Sequence, residues 1–386
     1  MALNQNDFPK IEKYINLKKF EVIKKGTLVI THENGFVTSI IFYKVPLEVL
    51  WNRILDFDSY SEYTPHIKSA KVKEKEGDTW VVDYKLVFDF SLISIDFGFS
   101  LKFFINEKEK EIYGFPLKGK VGFRMKFLET DGGVILIYTG FADLKSFGIL
   151  AKFIFRLFPE VETPLLVGVM TVFPEGIKEK LEGLKLIGTP DFGESDVDIP
   201  ERLKKEEISE ISNLAGVSKS IVLAHYPDGG VARFATGFAF LKREKDFIWR
   251  AITDFGSYKK VTGLIYKVRV VEPSPGKDYT VDFGLRYKAG PLSLKVNFSL
   301  DFNWDGEEKL IFVMNRERDN DFDGAWGSWD VYTYSNGSVL AYTTFADLGT
   351  ANFILRLMLR SVKGSELGIN IGTVSMMMDS FEKWLK

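Results

Sequence analysis

Few side chains in this chain of 386 residues could carry out acid–base, nucleophilic or metal chemistry. It has no cysteine, and its three histidines, His32, His66 and His225, have no second ligand at metal-binding spacing. Neither a nucleophile elbow nor a glycine-rich phosphate loop is present. The remaining candidates are Asp143 and Asp347, which end the repeated sequence Phe-Ala-Asp on the parity of its phenylalanine. If they point inward, burial would make them candidate acids or bases. A cap or an ion pair explains them more simply, so we predict no metal, no cofactor and no catalytic residue.

The composition describes a globular protein with an unusual number of phenylalanines. It is 45% hydrophobic and 27% charged, and 51 Lys and Arg against 53 Asp and Glu give a net charge of −2. The balance lacks the basic excess of nucleic-acid binders, and no apolar run is long enough to predict a transmembrane helix. Scarce Gln with many Lys and Glu is typical of thermophiles. The 34 Phe predict either aromatic cores or aromatic cavity walls.

The elements that position these side chains occur twice. Trp-x4-Asp-Phe-x-Ser-Tyr begins at Trp51 and again at Trp249, and Tyr-Thr-x-Phe-Ala-Asp-Leu begins at Tyr138 and Tyr342. Matches in the same order predict two copies of one domain. We place the first domain at residues 1–187, a Gly- and Pro-rich linker at 188–200 and the second domain at 201–386.

Each copy alternates apolar and polar residues through its middle and closes with a long helix. Val82, Tyr84 and Leu86 alternate with polar residues, as do Val281 and Phe283 in the second copy. Period-two alternation predicts antiparallel strands with one buried face. The order predicts an α+β protein of two tandem helix-grip domains, each a curved antiparallel sheet wrapped around a long C-terminal helix.

These motifs resemble the START-like (SRPBCC, helix-grip) superfamily, which includes polyketide cyclases and the coenzyme-Q-binding protein. The resemblance rests on the Trp-x4-Asp motif, the Phe-Ala-Asp-Leu strand, Gly327-Ser-Trp329 and the closing helix, and it covers nearly the whole chain. It implies a cavity between sheet and helix that binds a hydrophobic small molecule. The first copy departs from the pattern at Gly122-Phe-Arg124, so the two cavities need not hold the same molecule.

The candidate pocket-lining residues are large apolar side chains on the sheets and small or flexible residues on the second closing helix. They are Tyr84, Phe88, Phe97, Phe99, Phe141, Phe283, Tyr287, Phe298, Trp329, Phe345, Gly368, Gly372 and Met376. A solid aromatic core and close helix–sheet packing explain the same residues, and both interpretations stay open.

The apolar segment 147–158 and its counterpart 351–359 are either buried connecting helices or lids that touch a membrane transiently. The first residues lack signal-peptide features, which predicts a cytoplasmic protein, or a periplasmic one if a signal peptide has been removed. The sequence leaves the oligomeric state open.

The hypothesis that best fits these patterns is non-enzymatic binding and transport of a lipid, isoprenoid or quinone. The alternatives are a polyketide-cyclase-like enzyme and a scaffold whose cavities are filled by side chains.

Overall fold

A computed structural model gives the architecture of the chain. It describes residues 3–17, 19–64, 67–90, 93–117, 121–143, 162–187, 197–227, 233–289, 292–306, 308–334, 336–347 and 365–386, with side chains except at 88–90, 93–97, 162–165, 287–289, 292–294, 365, 366 and 369. The chain divides into two compact units. The first comprises Met1–Thr189 and Leu357–Ile369, and the second comprises Pro190–Arg356 and Asn370–Lys386. One boundary, between Thr189 and Pro190, falls within residues 188–200, whereas the other boundaries separate Leu357–Ile369 from the rest of the predicted second domain.

The described part of the first unit contains eight antiparallel strands and three α-helices. The strands are β1 (Gly26–Thr31), β2 (Val37–Tyr43), β3 (Ile67–Glu76), β4 (Thr79–Phe90), β5 (Ile93–Asn106), β6 (Glu111–Pro116), β7 (Val121–Thr130) and β8 (Gly133–Ala142), and the helices are α1 (Leu47–Leu55), α2 (Tyr60–Tyr63) and α3 (Glu162–Glu182). Within this unit the strand order is β1-β2-β8-β7-β6-β5-β4-β3.

The described part of the second unit repeats this order of elements after one additional helix. The helices are α4 (Lys205–Ser212), α5 (Lys245–Thr253), α6 (Tyr258–Val261) and α7 (Ser365–Leu385), and the strands are β9 (Ser220–His225), β10 (Ala235–Leu241), β11 (Ile265–Val271), β12 (Tyr279–Ala289), β13 (Leu292–Trp304), β14 (Lys309–Met314), β15 (Gly324–Tyr334) and β16 (Gly337–Asp347). Helix α7 belongs to this unit from Asn370 onward, and its first residues, 365–369, are grouped with the first unit. The strand order is β9-β10-β16-β15-β14-β13-β12-β11. The predicted α+β class with a large antiparallel sheet is therefore confirmed.

One face of the first sheet, called its inner face here, packs against α3. The Tyr43 hydroxyl donates to the Pro174 carbonyl at 2.7 Å. Gly140 lies beneath the Met170 thioether, and a Cβ at this glycine would overlap that side chain. The absence of a Cβ thus lets the helix approach the strand closely.

The inner face of the second sheet packs against α7 in the same way. Gly237 lies beneath Val374 and Met378, again with no room for a Cβ. The Trp329 and Phe381 rings lie 4.8 Å apart between centroids. These contacts define which residues of each strand face the helix.

The opposite, outer face of the first sheet is covered by the chain that precedes β1. Phe8 packs edge-on against Phe36 with ring centroids 5.3 Å apart. Arg124, only 2% exposed, pairs with Glu12 of the covering segment at 2.8 Å and also with Glu111 of β6. A buried guanidinium with two carboxylates fixes this segment on the sheet.

The chain that precedes β9 covers the outer face of the second sheet, and here the covering segment supplies the cation and the sheet supplies the carboxylate. Val197 and Ile199 pack against the aromatic cluster that contains Trp326. Arg202, now on the covering segment, lies 3.5 Å from the buried Asp330 of β15 and donates to the Val331 carbonyl at 2.6 Å.

Strand register corrects the predicted correspondence between the two copies. Tyr138 pairs with Met125, and its counterpart Tyr342 pairs with Trp329. Trp329 therefore corresponds to Met125 rather than to Arg124, and the predicted alignment was one residue out.

Candidate ligand-binding site

Aromatic side chains cover the inner face of the first sheet. Tyr84 stacks on Phe99 with ring centroids 5.3 Å apart and an interplanar angle of 8°. Successive ring contacts lead from Tyr84 to the helix, with centroid distances of 6.4, 5.4, 5.8 and 5.6 Å between neighbours. The rings are, in order, Tyr84, Phe103, Phe123, Tyr138 and Phe173 of α3. Phe99 is half-buried, so the aromatic surface extends from beneath the helix to a ring that is partly exposed.

The second sheet carries a corresponding aromatic surface. Phe283 and Phe298 are register partners whose rings stack 5.6 Å apart. The contacts continue through Phe302, Phe312, Tyr342 and Trp329 to Phe381 of α7. Phe298 is half-buried like Phe99. Both inner faces thus offer apolar area that would favour binding of an apolar molecule.

Two predicted pocket residues do not belong to these surfaces. Phe141 packs against Phe36 on the outer face, with ring centroids 5.4 Å apart. Phe345 lies in the outer cluster of the second unit with Trp326 and Phe234. Each is three residues beyond an inner-face tyrosine, an odd interval that turns its side chain to the other face.

The same parity places the two strand-end carboxylates away from the inner face, so the condition for an acid or base role is not met. Asp347 lies two residues beyond Phe345 in β16, on the outer face, and is half-buried. Asp143 has the same parity relative to Phe141 and follows the last residue of β8. Neither carboxylate joins the aromatic surfaces.

The remaining predicted residues are only partly described. Phe88, Phe97 and Tyr287 lie in β4, β5 and β12, but their side chains fall outside the described set. Gly368 and Gly372 are buried in α7, and Met376 is half-buried. The nearby Ser375 hydroxyl hydrogen-bonds with Ser220 of β9 at 2.5 Å, so this part of α7 lies directly on the sheet.

The recurring tyrosine of the Trp-x4-Asp motif has a structural role. Tyr60 donates to the Ile54 carbonyl and Tyr258 to the Ile252 carbonyl, both at 2.5 Å. Trp51 packs edge-on against Phe127 of the sheet. The motif therefore closes the α1–α2 turn onto the sheet.

Sequence reasoning missed a cluster of phenols in the first unit, called the phenol cluster here: Tyr63, Tyr84 and Tyr138. Burial raises the pKa of all three, and the other two phenols raise the pKa of Tyr84 further. They remain neutral hydrogen-bond donors at physiological pH. The signal available in the sequence was the tyrosine three residues after Tyr60, which the second copy replaces by Val261.

Sequence reasoning also missed buried charges between α3 and the first sheet. Thr27 donates to the fully buried Glu175 at 2.7 Å. Lys178 donates to the Phe42 carbonyl at 2.6 Å and to Glu182 at 2.7 Å. Burial lowers the pKa of Lys178, and Glu182 opposes that effect.

The described ranges contain no group of three or more side chains that could hold a metal ion. No helix in the same ranges is long and apolar enough to cross a bilayer. The segments 147–158 and 351–359, interpreted as buried connecting helices or lids, lie outside the described residues.

Comparison with known families agrees with this geometry. Residues 43–179, about a third of the chain, match the model of the family described as polyketide cyclase / dehydrase and lipid transport. The match agrees with the resemblance that the motifs of the first copy suggested. It begins at the last residue of β2 and ends within α3, so it includes the phenol cluster and the aromatic inner face. No curated protein matches the chain.

Solved structures of START-like proteins are similar to this chain only distantly. The didomain ARO/CYC StfQ from the steffimycin biosynthetic pathway is 10% identical, with 90% of this chain and 98% of that chain covered and a TM-score of 0.28. The STAR-related lipid transfer protein from Xanthomonas axonopodis is 11% identical, with 43% and 94% covered and a TM-score of 0.32. At these scores the similarities carry no argument about what this chain binds.

Proposed function

We propose that the protein binds and carries a hydrophobic small molecule, such as a lipid, isoprenoid or quinone, between an inner sheet face and its long helix. In this proposal both units are tandem helix-grip domains. The observation that supports it most directly is the aromatic surface on each inner face, with half-buried rings at Phe99 and Phe298. Burial of apolar area, at roughly 25 cal/mol per Å², would drive capture.

The pKa shifts within the first inner face favour binding over acid–base catalysis. A general acid or base works best with a pKa near the operating pH. Burial moves the pKa of Tyr84 and Tyr138 upward, away from neutrality. A polyketide-cyclase-like reaction, the second candidate, would need a proton-transfer group outside this cluster.

Native mass spectrometry of the purified full chain tests the proposal. We expect one or two apolar molecules per chain, released by organic extraction, or stoichiometric uptake of a long-chain methyl ketone or the alkane of equal length by stripped protein. Protein that is empty and takes up neither probe would contradict the proposal, and the filled scaffold would then explain the aromatic faces.

Two half-buried phenylalanines on opposite faces provide matched variants. Phe99→Ala on the inner face should weaken alkane binding about tenfold, because the lost contact area corresponds to about 1.5 kcal/mol. Phe141→Ala on the outer face should change the affinity less than twofold. Equal effects of the two variants would place the ligand elsewhere.

If the protein transports its ligand as well as binding it, it should transfer the ligand between membranes. Vesicles loaded with a fluorescent long-chain ketone should pass it to empty vesicles faster when the protein is present, and Phe99→Ala should reduce that acceleration. An unchanged transfer rate with intact binding would leave a binding protein that is not a carrier.

A further inference from the structure

The two inner faces differ in their hydroxyl groups. Strand register and the repeat assign a counterpart in the second unit to four hydroxyl-bearing residues at the inner face of the first. The pairs are Ser39 with Gly237, Tyr63 with Val261, Tyr84 with Phe283, and Tyr138 with Tyr342. Three of the four hydroxyls are therefore absent from the second unit.

Two of the hydroxyls in the first unit are buried without a hydrogen-bond partner among the described residues. These are the hydroxyls of Tyr63, which is 8% exposed, and of Ser39, which is fully buried. Ser59 lowers the pKa of Tyr63 against the larger effect of burial. Its proton is donated to the Asp56 carbonyl at 2.9 Å, so it could only accept from Tyr63, and no hydrogen bond of adequate geometry joins the two hydroxyls. An unpaired buried hydroxyl costs stability, so its retention points to a partner that arrives from outside the chain.

The unpaired hydroxyls lie next to the aromatic surface. Ser39 is the register partner of Tyr138. The Tyr60 ring links Tyr63 to Tyr84, with centroids 5.7 Å from the first and 6.3 Å from the second. Tyr84 in turn stacks on the half-buried Phe99. The donors thus lie beside the surface that would hold an apolar body.

We propose that Tyr63, Tyr84 and Tyr138 form a subsite for a neutral carbonyl oxygen at one end of an apolar ligand. The inference rests on the proposed binding function and makes the first unit the half that selects an oxygen-bearing ligand. A phenol O–H donates to a carbonyl oxygen without any proton transfer. The side chains that shift the pKa of Tyr84 are tyrosines. Arg53, the cation that lowers the pKa of Tyr63, is already paired with Asp56 at 3.6 Å. A carboxylate brought to this subsite would therefore lose its hydration without gaining a counter-charge.

The test compares a long-chain methyl ketone, the alkane of equal length and the fatty acid of equal length on the full chain. The ketone should bind about five- to tenfold more tightly than the alkane, the value of one or two neutral hydrogen bonds. The double variant Tyr63→Phe/Tyr84→Phe should lose that preference and keep its alkane affinity. The carbonyl stretching band of the bound ketone should lie at lower frequency in the parent protein than in the variant.

Tyr342→Phe, at the position of Tyr138 in the second unit, is the matched control and should leave the ketone preference within twofold. Equal binding of ketone and alkane to the parent protein would overturn the subsite while the binding function stands. Tighter binding of the ionised fatty acid than of the ketone would overturn its neutral character. If neither ketone nor alkane binds, the proposed function itself fails. Since Tyr63→Phe removes an unpaired hydroxyl, this variant should melt at or above the parent temperature.

Discussion

The two long helices lie on their sheets in the same place but are held there by different chemistry. In the first unit Glu175 accepts a hydrogen bond from Thr27, whereas in the second Ser375 meets Ser220 at the corresponding position. Lys178 bonds to a strand carbonyl and a carboxylate, whereas its counterpart Met378 is buried as an apolar side chain. The first helix is fixed by directional bonds to buried charges and the second mainly by apolar contact.

The covering segments on the outer faces differ in a related way. In the first unit the sheet supplies the cation, Arg124, and the segment supplies Glu12. In the second unit the segment supplies Arg202 and the sheet supplies Asp330. The repeat thus preserves backbone register while the charges are rearranged, and each segment has charges that match only its own sheet.

The largest effect should come from removing the buried cation of the first outer face. Arg124→Met leaves Glu12 and Glu111 without their partner, and breaking a buried ion pair costs about 3–5 kcal/mol. Urea denaturation would measure the free energy of unfolding. Lys24→Met, which breaks an exposed pair with Glu21, is the control and should cost less than about 1 kcal/mol. Similar losses for the two variants would contradict the importance assigned to this buried pair.

A smaller loss of stability should follow when a buried charge of the first long helix is replaced by the apolar residue found at the same position of the second. Lys178→Met leaves the nearly buried Glu182 without its cation and should cost about 2–4 kcal/mol. Adding Glu182→Gln should recover most of that loss, because the unpaired charge is gone. Met378→Leu in the second unit should cost less than about 1.5 kcal/mol. Additive losses in the double variant would show that the two residues do not act as a pair.

The smallest effect concerns the pH dependence of the two covering segments. Burial alone would raise the pKa of Glu12, but the hydrogen bonds and positive charge of Arg124 outweigh that effect and lower the pKa. The ionised Glu12 therefore stabilises the fold, and this contribution is lost as the pH falls through the pKa of Glu12 in the folded protein. Burial raises the pKa of Asp330, so the ionised carboxylate lowers the stability of the fold at neutral pH. Protonation on acidification removes that cost. The stability of Glu12→Gln should therefore approach that of the parent in thermal melts as the pH is lowered from neutral to about 3. The difference between their free energies of unfolding should be below about 1 kcal/mol. The gain of Asp330→Asn over the parent should likewise shrink on acidification. Parallel pH curves for parent and variants would contradict these assignments.

The fold was predictable where one strand face is apolar and the other polar. The alternation at Val281 and Phe283 against Asp282 indicates a face directly, and the register agrees with it. The strand β8 is different, because Val134 through Tyr138 are all buried and no alternation marks its inner side. This is why Phe141 was assigned to the wrong face.

The buried polar groups were less predictable, because their partners are distant in sequence. Glu175 and Lys178 occur in an amphipathic helix where solvent exposure is the usual outcome for such residues. Their pairing with Thr27 and the Phe42 carbonyl depends on the close approach of α3 to the first two strands. The phenol cluster likewise assembles from a short helix and two strands that are far apart in the sequence.

The most direct test of the binding account uses fluorine NMR at two matched positions. A fluorinated phenylalanine at position 99 reports on the inner face, and one at position 141 reports on the outer face; both sites are half-buried in the first unit. Titration of the full chain with a long-chain methyl ketone should shift the signal at position 99 and leave the signal at position 141 unchanged. A shift at position 141 alone, or no shift at either position while the ketone binds, would contradict the account.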